Sequence, residues 1–511
     1  MSSDPIEQRA AKVSSVTGLS AVLSIVLQLI AVPICLTHWG KETYGSWLAL
    51  YAAFMMVRSI DAGFVSYVGN KLNYLYHQSH ADLHRHLASS LVGTAIIGVI
   101  QLTIGIAAVF SDGLLRSLGL LASQGDQNHS RLALLVLIGT WVLSGSYLGI
   151  VHRLLIPTGF MYQATWWAMG LQVGQFSAIL LAAFQRLDML HTSLLLASVQ
   201  FGIYTASGVY VRLKLPAFFP WWRGGVPRTG IQDLGHSLSL TASNLIQQGS
   251  ASGIVILVSI LTSPAIVPVF TTARVLANLW TNISNVLTAP MLPDVVRFAA
   301  TGEGRKLVTL SEAYWVIVGS ILNLGVLLTY PFVEGVFGHW TAHSIALNKP
   351  LHCFLLASVV VSNVGGLFSL YFNGNNHVGV LLMLSILRGV AGLLLGGLLF
   401  MQLGLVGIGI AIMGGEVLVL ILLSNQFMRR ELPRQGGTMP MLSIAPILIS
   451  SACVVAFLMY QGFQSRFSAI AFTISSLGVL TCAVWGWRRL EVGVRDRLVR
   501  LVKARFGKRF P

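Results

Sequence analysis

Long apolar runs alternate with short polar breaks along almost the whole chain. Most runs are about 20 to 25 residues, enough to cross roughly 30 Å of hydrocarbon as an α-helix. The pattern predicts spans at residues 14–36, 43–67, 87–110, 132–154, 165–185, 191–213, 236–262, 266–290, 312–334, 350–373, 378–401, 405–427, 442–461 and 467–487. Soluble core helices are shorter and striped, so the expected fold is all-α and polytopic, with about 14 transmembrane helices. The first run starts near Ser14 and a second follows at once. It reads as a retained span rather than a cleaved signal peptide, with no soluble domain expected ahead of it.

Composition sharpens this picture. Only 10% of the 511 residues are charged and 55% are hydrophobic, whereas about a quarter of a soluble chain is charged. The net charge of +16 would suggest a nucleic-acid partner in a soluble protein, but here 24 of the 33 Lys and Arg fall in alternate loops. They include loops 71–85, 212–228, 297–306 and 429–434, together with the tail from Arg488. Six cations lie on the other side (Lys41, Arg116, Arg131, Arg186, Lys349 and Arg466) and three lie within spans. The positive-inside rule then places both termini in the cytoplasm, and no nucleic-acid partner is expected.

Segment 214–235, rich in Pro, Trp and Gly, reads as a cytoplasmic linker between six-span bundles at 1–213 and 236–427. Two additional spans fill 428–487. The basic tail 488–511 reads either as an interfacial amphipathic helix or as an unstructured topology anchor. A shift of 224 residues lays Thr17, Ser20, Ser24 and Gln28 onto Thr241, Asn244, Gln248 and Ser252, each set a stripe on one helix face. The same shift lays Arg58 and Asp61 onto Asn282 and Asn285. Either polar residues are gluing helices together, or the two bundles are repeats about a pseudo-two-fold axis along the membrane normal, with the stripes lining a cavity.

Charges inside spans carry the most information, because each costs about 2.5 to 3.5 kcal/mol at a helix centre. They are Arg58, Asp61, Arg274, Arg388 and Glu416. Arg58 and Asp61 stand three apart, either as a self-neutralising pair or as a cation able to exchange its carboxylate for a phosphate. Arg274, Asn278, Asn282 and Asn285 form a line down one helix, suited to a wet cavity or to a structural seam. Arg388 has no comparable stripe. Glu416 fits either a coupling proton or ion, or pairing with an arginine.

Other candidate chemistry falls away. Cys35, Cys353, Cys453 and Cys482 lie in apolar runs and read as packing residues. His77, His80, His84 and His86 crowd one loop without the acids or cysteines that would complete a metal site. Asn128-His129-Ser130 matches a glycosylation sequon, which has no meaning in a bacterial chain. No phosphate loop is present, and Gly302 to Lys306 is too short to form one. The largest outside loop, 111–131, has no carboxylate cluster, which argues against a membrane glycosyltransferase or polymerase. No catalytic residue, cofactor or metal is expected, and the chain does not read as an enzyme.

The stretch Pro33 to Leu72 resembles the polysaccharide-export branch of the multidrug/oligosaccharidyl-lipid/polysaccharide exporter superfamily. It carries a W-G-x-x-x-Y-G junction at Trp39 to Gly45, a D-x-G at Asp61 and Gly63, and Gly69-Asn70-Lys71-Leu72. Residues Ser237 to Pro293 resemble that family's seventh and eighth spans. The resemblance implies two six-span bundles opening alternately to either side of a bacterial inner membrane. It also implies an undecaprenyl-diphosphate oligosaccharide as cargo, for O-antigen, capsule or exopolysaccharide assembly. Under that expectation Arg58, Arg274, Arg388, Asn278, Asn282, Asn285, Gln28 and Gln248 bind substrate, and Asp61 and Glu416 serve a coupling proton or sodium ion. Membrane lipids and the polysaccharide polymerase machinery are the expected partners. Two departures stand out. Relatives often carry an acid in the seventh span where this chain has Gln247, Gln248, Ser250 and Ser252, and the arginine-rich first span of peptidoglycan-precursor flippases is missing. A multidrug extruder of the same superfamily is the alternative, although three arginines against two acids lean toward anionic cargo.

Overall fold

A computed structural model describes residues 6–76, 78–113, 127–288, 291–375, 377–439, 441–464, 466–490 and 495–496. These residues fold into helices and connecting turns, with no strand among them. Eleven helices are long and apolar enough to cross a membrane, or twelve if one bent pair is a single span.

The expected count of 14 is therefore not reproduced by length and composition, for two physical reasons. The first two spans are one run, α1 (Ile6–Arg58), interrupted at Gly40, whose φ of 75° and ψ of 171° take it out of the helical region. An L side chain rarely adopts that φ, which accounts for a glycine in the junction motif. The eighth expected span is α8 (Val267–Thr288), whose Arg274 and asparagines lower its hydropathy.

The second expected span, 43–67, is also not continuous. The helix breaks at 59–61, where Ser59 Oγ donates to Met56 O, and α2 (Ala62–Tyr76) begins with Val65 N donating to Asp61 O. The long helices that follow are α3 (His80–Phe110), α4 (Asn128–Leu155), α5 (Met161–Phe184), α6 (Met189–Lys214) and α7 (Pro227–Leu261). The segment read as a linker packs on α3: Ser89 Oγ accepts from Val226 N, and α7 starts one residue later.

Small residues let these backbones touch, as interfaces between membrane helices require. A Cβ on Gly63 would lie 2.2 Å from Thr241 N, so α2 and α7 meet with no side chain between them. Gly45 is confined in the same way by Pro264 O, at 1.7 Å. Gly45 of the junction and Gly63 beyond it thus have a steric basis in this chain's own packing.

By backbone contacts the chain forms two compact units. One is Met1–Thr272 with Gly338–Ala346, and the other is Ala273–Phe337 with Leu347–Pro511. The second unit builds its core around Tyr314, Trp315, Phe368, Tyr371 and Phe427. Its helices include α9 (Lys349–Val364) and α10 (Gly366–Gly374), bent by 55° at the break. There Tyr314 Oη donates to Asn363 O at 2.8 Å, which satisfies a carbonyl near the bend. Further along are α11 (Gly379–Leu403) and α12 (Leu405–Arg434). Most of the expected basic tail lies outside the described residues.

Candidate functional site

The first unit contains a cavity of about 620 Å³ between the α1–α2 break and helices α4 to α7. Its polar lining includes Arg58, Asp61, Trp141, Arg153, Asn244 and Gln248.

The helix break is what brings Arg58 and Asp61 to the cavity in different roles. Asp61 is 2% exposed, and its Oδ2 accepts a hydrogen bond from Trp141 Nε1 at 2.9 Å. The Trp141 ring also carries Arg58, whose Cζ stands 4.0 Å from the ring centroid. One indole thus satisfies the carboxylate through its edge and the guanidinium through its face. Among the described residues no carboxylate oxygen lies within 4.0 Å of a guanidinium nitrogen of Arg58 or Arg153. Arg58 makes one weak contact, from Nη1 to Met55 Sδ at 3.8 Å. The self-neutralising pair of the sequence reading is replaced by an aromatic intermediary.

Arg153 lies in the last turn of α4, over Gly69 of α2. Beside it, His152 Nδ1 pairs with Ser207 Oγ at 3.1 Å, and Nε2 faces Ala164 O at 3.4 Å. Both ring nitrogens of His152 are engaged, which leaves Arg153 as the cation open to that part of the cavity.

Gln248 lines the cavity and donates to Ser252 Oγ at 2.5 Å, one turn along its helix. Gln28 makes the matching contact to Ser24 Oγ at 3.3 Å but is not among the lining residues. Arg274, Asn278, Asn282 and Asn285 lie on α8 in the second unit, and the cavity is lined without them. Asn278 and Asn285 are exposed there.

Of the two readings of Glu416, a coupling site or a partner for an arginine, the structure displays the contact of the second, with Arg388, the residue expected to bind substrate. Arg388 Nε donates to Glu416 Oε1 at 2.7 Å and Nη2 to Oε2 at 3.0 Å, a bidentate pair between α11 and α12. The histidine-rich loop is also absorbed by packing. His84 Nε2 lies 3.1 Å from Phe218 O, and His86 lies 3.4 Å from Asp233, which also pairs with Lys71 at 2.9 Å. His77 lies outside the described residues.

Sequence reasoning missed Trp141 and Arg153. Tryptophan in an apolar run carries no signal of its own, and Arg153 fell at the end of an expected span, where a cation counts as topology.

The same fold recurs among solved transporters. A structure of the lipid II flippase MurJ, in an inward-closed conformation, matches with a TM-score of 0.66 at 12% identity, over 92% of this chain and 97% of that one. An inward-facing multidrug resistance MATE family transporter of the MOP superfamily matches with a TM-score of 0.61 at 15% identity, over 82% and 99%. A Vibrio cholerae MATE transporter gives 0.55 at 16%, over 83% and 98%. No family model and no curated protein matches the sequence. At these identities the likeness establishes the fold, which is the one the junction motif led us to expect.

Proposed function

We propose that this chain is a flippase that moves a polyprenyl-diphosphate-linked oligosaccharide from the cytoplasmic to the periplasmic leaflet of a bacterial inner membrane. The observation that carries the reading is a cavity with two arginines whose donors are not consumed by carboxylates. A diphosphate entering a membrane must exchange hydration for fixed donors, or its desolvation is prohibitive. Arginine supplies those donors in a planar fork and keeps its charge at any relevant pH.

The cavity's carboxylate points the same way. A cationic drug needs an accessible anion, yet Asp61 is almost fully buried and already bound to Trp141. Asp61 then acts on Arg58 through the indole rather than as a ligand. In this reading the cytoplasmic face is the one bearing loop 71–85, and Arg388 with Glu416 ties α11 to α12 and takes no part in transport.

The test is reconstitution of the purified protein in proteoliposomes carrying a fluorescent polyprenyl-diphosphate glycan, assayed for its appearance in the opposite leaflet. Flipping above protein-free vesicles is expected, together with no export of cationic dyes. Dye export without glycan movement would replace this function with multidrug extrusion.

A further inference from the structure

The cavity's two arginines stand at different depths. Arg58 ends α1, and Gly69, eleven residues on, packs the stem of Arg153, since a Cβ on Gly69 would lie 3.2 Å from Arg153 Cδ. Beyond the break at 59–61, the helical stretch from Ala62 to Gly69 alone spans roughly 10 Å at 1.5 Å per residue. Helix α4 gives a second measure. Trp141, which carries Arg58, precedes Arg153 by twelve residues on that helix, or about 18 Å. This backbone offset along α4 is well beyond the length of a diphosphate.

Arg153 also lies toward the basic end of the bundle. Gly69 is two residues from Lys71, which pairs with Asp233, and loop 71–85 is the segment that charge assigns to the cytoplasm. Arg58 lies farther from that end, at the helix break.

We propose, building on the anionic-lipid reading above, that the cavity contains two successive anion stations. Arg153 receives the lipid diphosphate at the cytoplasmic end, and Arg58 accepts it deeper in the membrane. Each station offers one guanidinium, so neither binds so tightly that the headgroup is trapped, a requirement met in other pores by weak sites in series. Gly69 is a positioning residue for the first station and Trp141 for the second. Because His152 is engaged at both ring nitrogens, the first station has a single cationic ligand whose loss is readable in isolation.

The stations separate in kinetics. In proteoliposomes, with the labelled polyprenyl-diphosphate glycan varied as a mole fraction of lipid, Arg153→Gln should raise KM about tenfold and leave kcat within about twofold. Arg58→Gln should instead lower kcat about tenfold or more, because the headgroup still docks but is not received. Arg153→Lys should recover part of the KM defect. Gly69→Ala provides a second route should Arg153→Gln fold poorly, as it keeps the charge but displaces the stem, and it too should raise KM. If both arginine variants shift the same constant, or if neither Arg153→Gln nor Gly69→Ala changes KM, there is one station and the proposal fails alone. A wild-type protein that moves no polyprenyl diphosphate removes the flippase function and the stations with it.

Discussion

Arg58 and Arg388 look alike in sequence, each a lone cation in an apolar helix, yet they are satisfied in opposite ways. Arg388 gives its Nε and one Nη to the two oxygens of Glu416. Arg58 lies against the face of Trp141, while the indole N–H holds Asp61. A carboxylate uses up guanidinium donors, whereas a ring face stabilises the charge and uses none. The comparison teaches that the neighbour, rather than the charge, decides whether an intramembrane arginine can bind cargo. A π-face keeps the cation in place with its fork free.

The largest expected effect is on the closed pair. Glu416→Leu leaves Arg388 without its partner and should destabilise the protein by about 3 kcal/mol, near the low end for a broken buried pair because Arg388 is 34% exposed. Thermal unfolding in detergent reads this as a lowered midpoint and reduced yield. The double substitution Arg388→Met with Glu416→Leu should restore both, since apolar replacement of such a pair is often neutral. Failure of the double variant to recover would assign the pair a role beyond stability.

Next comes Arg58→Gln, expected to cost about 2 kcal/mol of transport, roughly thirtyfold, with normal abundance. Trp141→Phe sharpens the contrast, because it keeps a ring beneath Arg58 but removes the donor to Asp61. The orphaned carboxylate should then take Arg58 as its partner, lowering transport by about tenfold. Restoration by Asp61→Asn in the Trp141→Phe background would show that the loss came from that capture. The smallest effect is expected at Lys71→Met, which leaves Asp233 with His86 alone near the basic end. It should cost about 1 kcal/mol of stability, since Lys71 is 35% exposed, and leave transport per folded molecule unchanged.

Much of the fold was legible because hydropathy and glycine report physical requirements directly. Runs of the right length marked the spans, and Gly40, Gly45 and Gly63 mark one positive φ and two backbone contacts. The span count was less legible, since α8 carries a polar stripe and α1 carries its helix through the polar stretch 37–43 with only Gly40 out of the helical region. Arg58 and Asp61 stood out as expensive charges. The connection between them did not, because Trp141 is 80 residues from Asp61 and is recruited only by the packing of α4 against the break. Arg388 and Glu416 are 28 residues apart on successive helices, so their pairing also awaited the packed structure. Arg153 was hidden by its position, where topology alone was reason enough for a cation.

The most direct measurement compares flipping per reconstituted molecule in Arg58→Gln with that in the Arg388→Met, Glu416→Leu double variant, at matched protein content and against wild type. The expected result is that Arg58→Gln inserts normally and loses most of its flipping, while the double variant retains both. If Arg58→Gln loses flipping only in proportion to its abundance, or the double variant loses flipping at full abundance, the aromatic-held arginine is not the cargo ligand and the central claim is wrong.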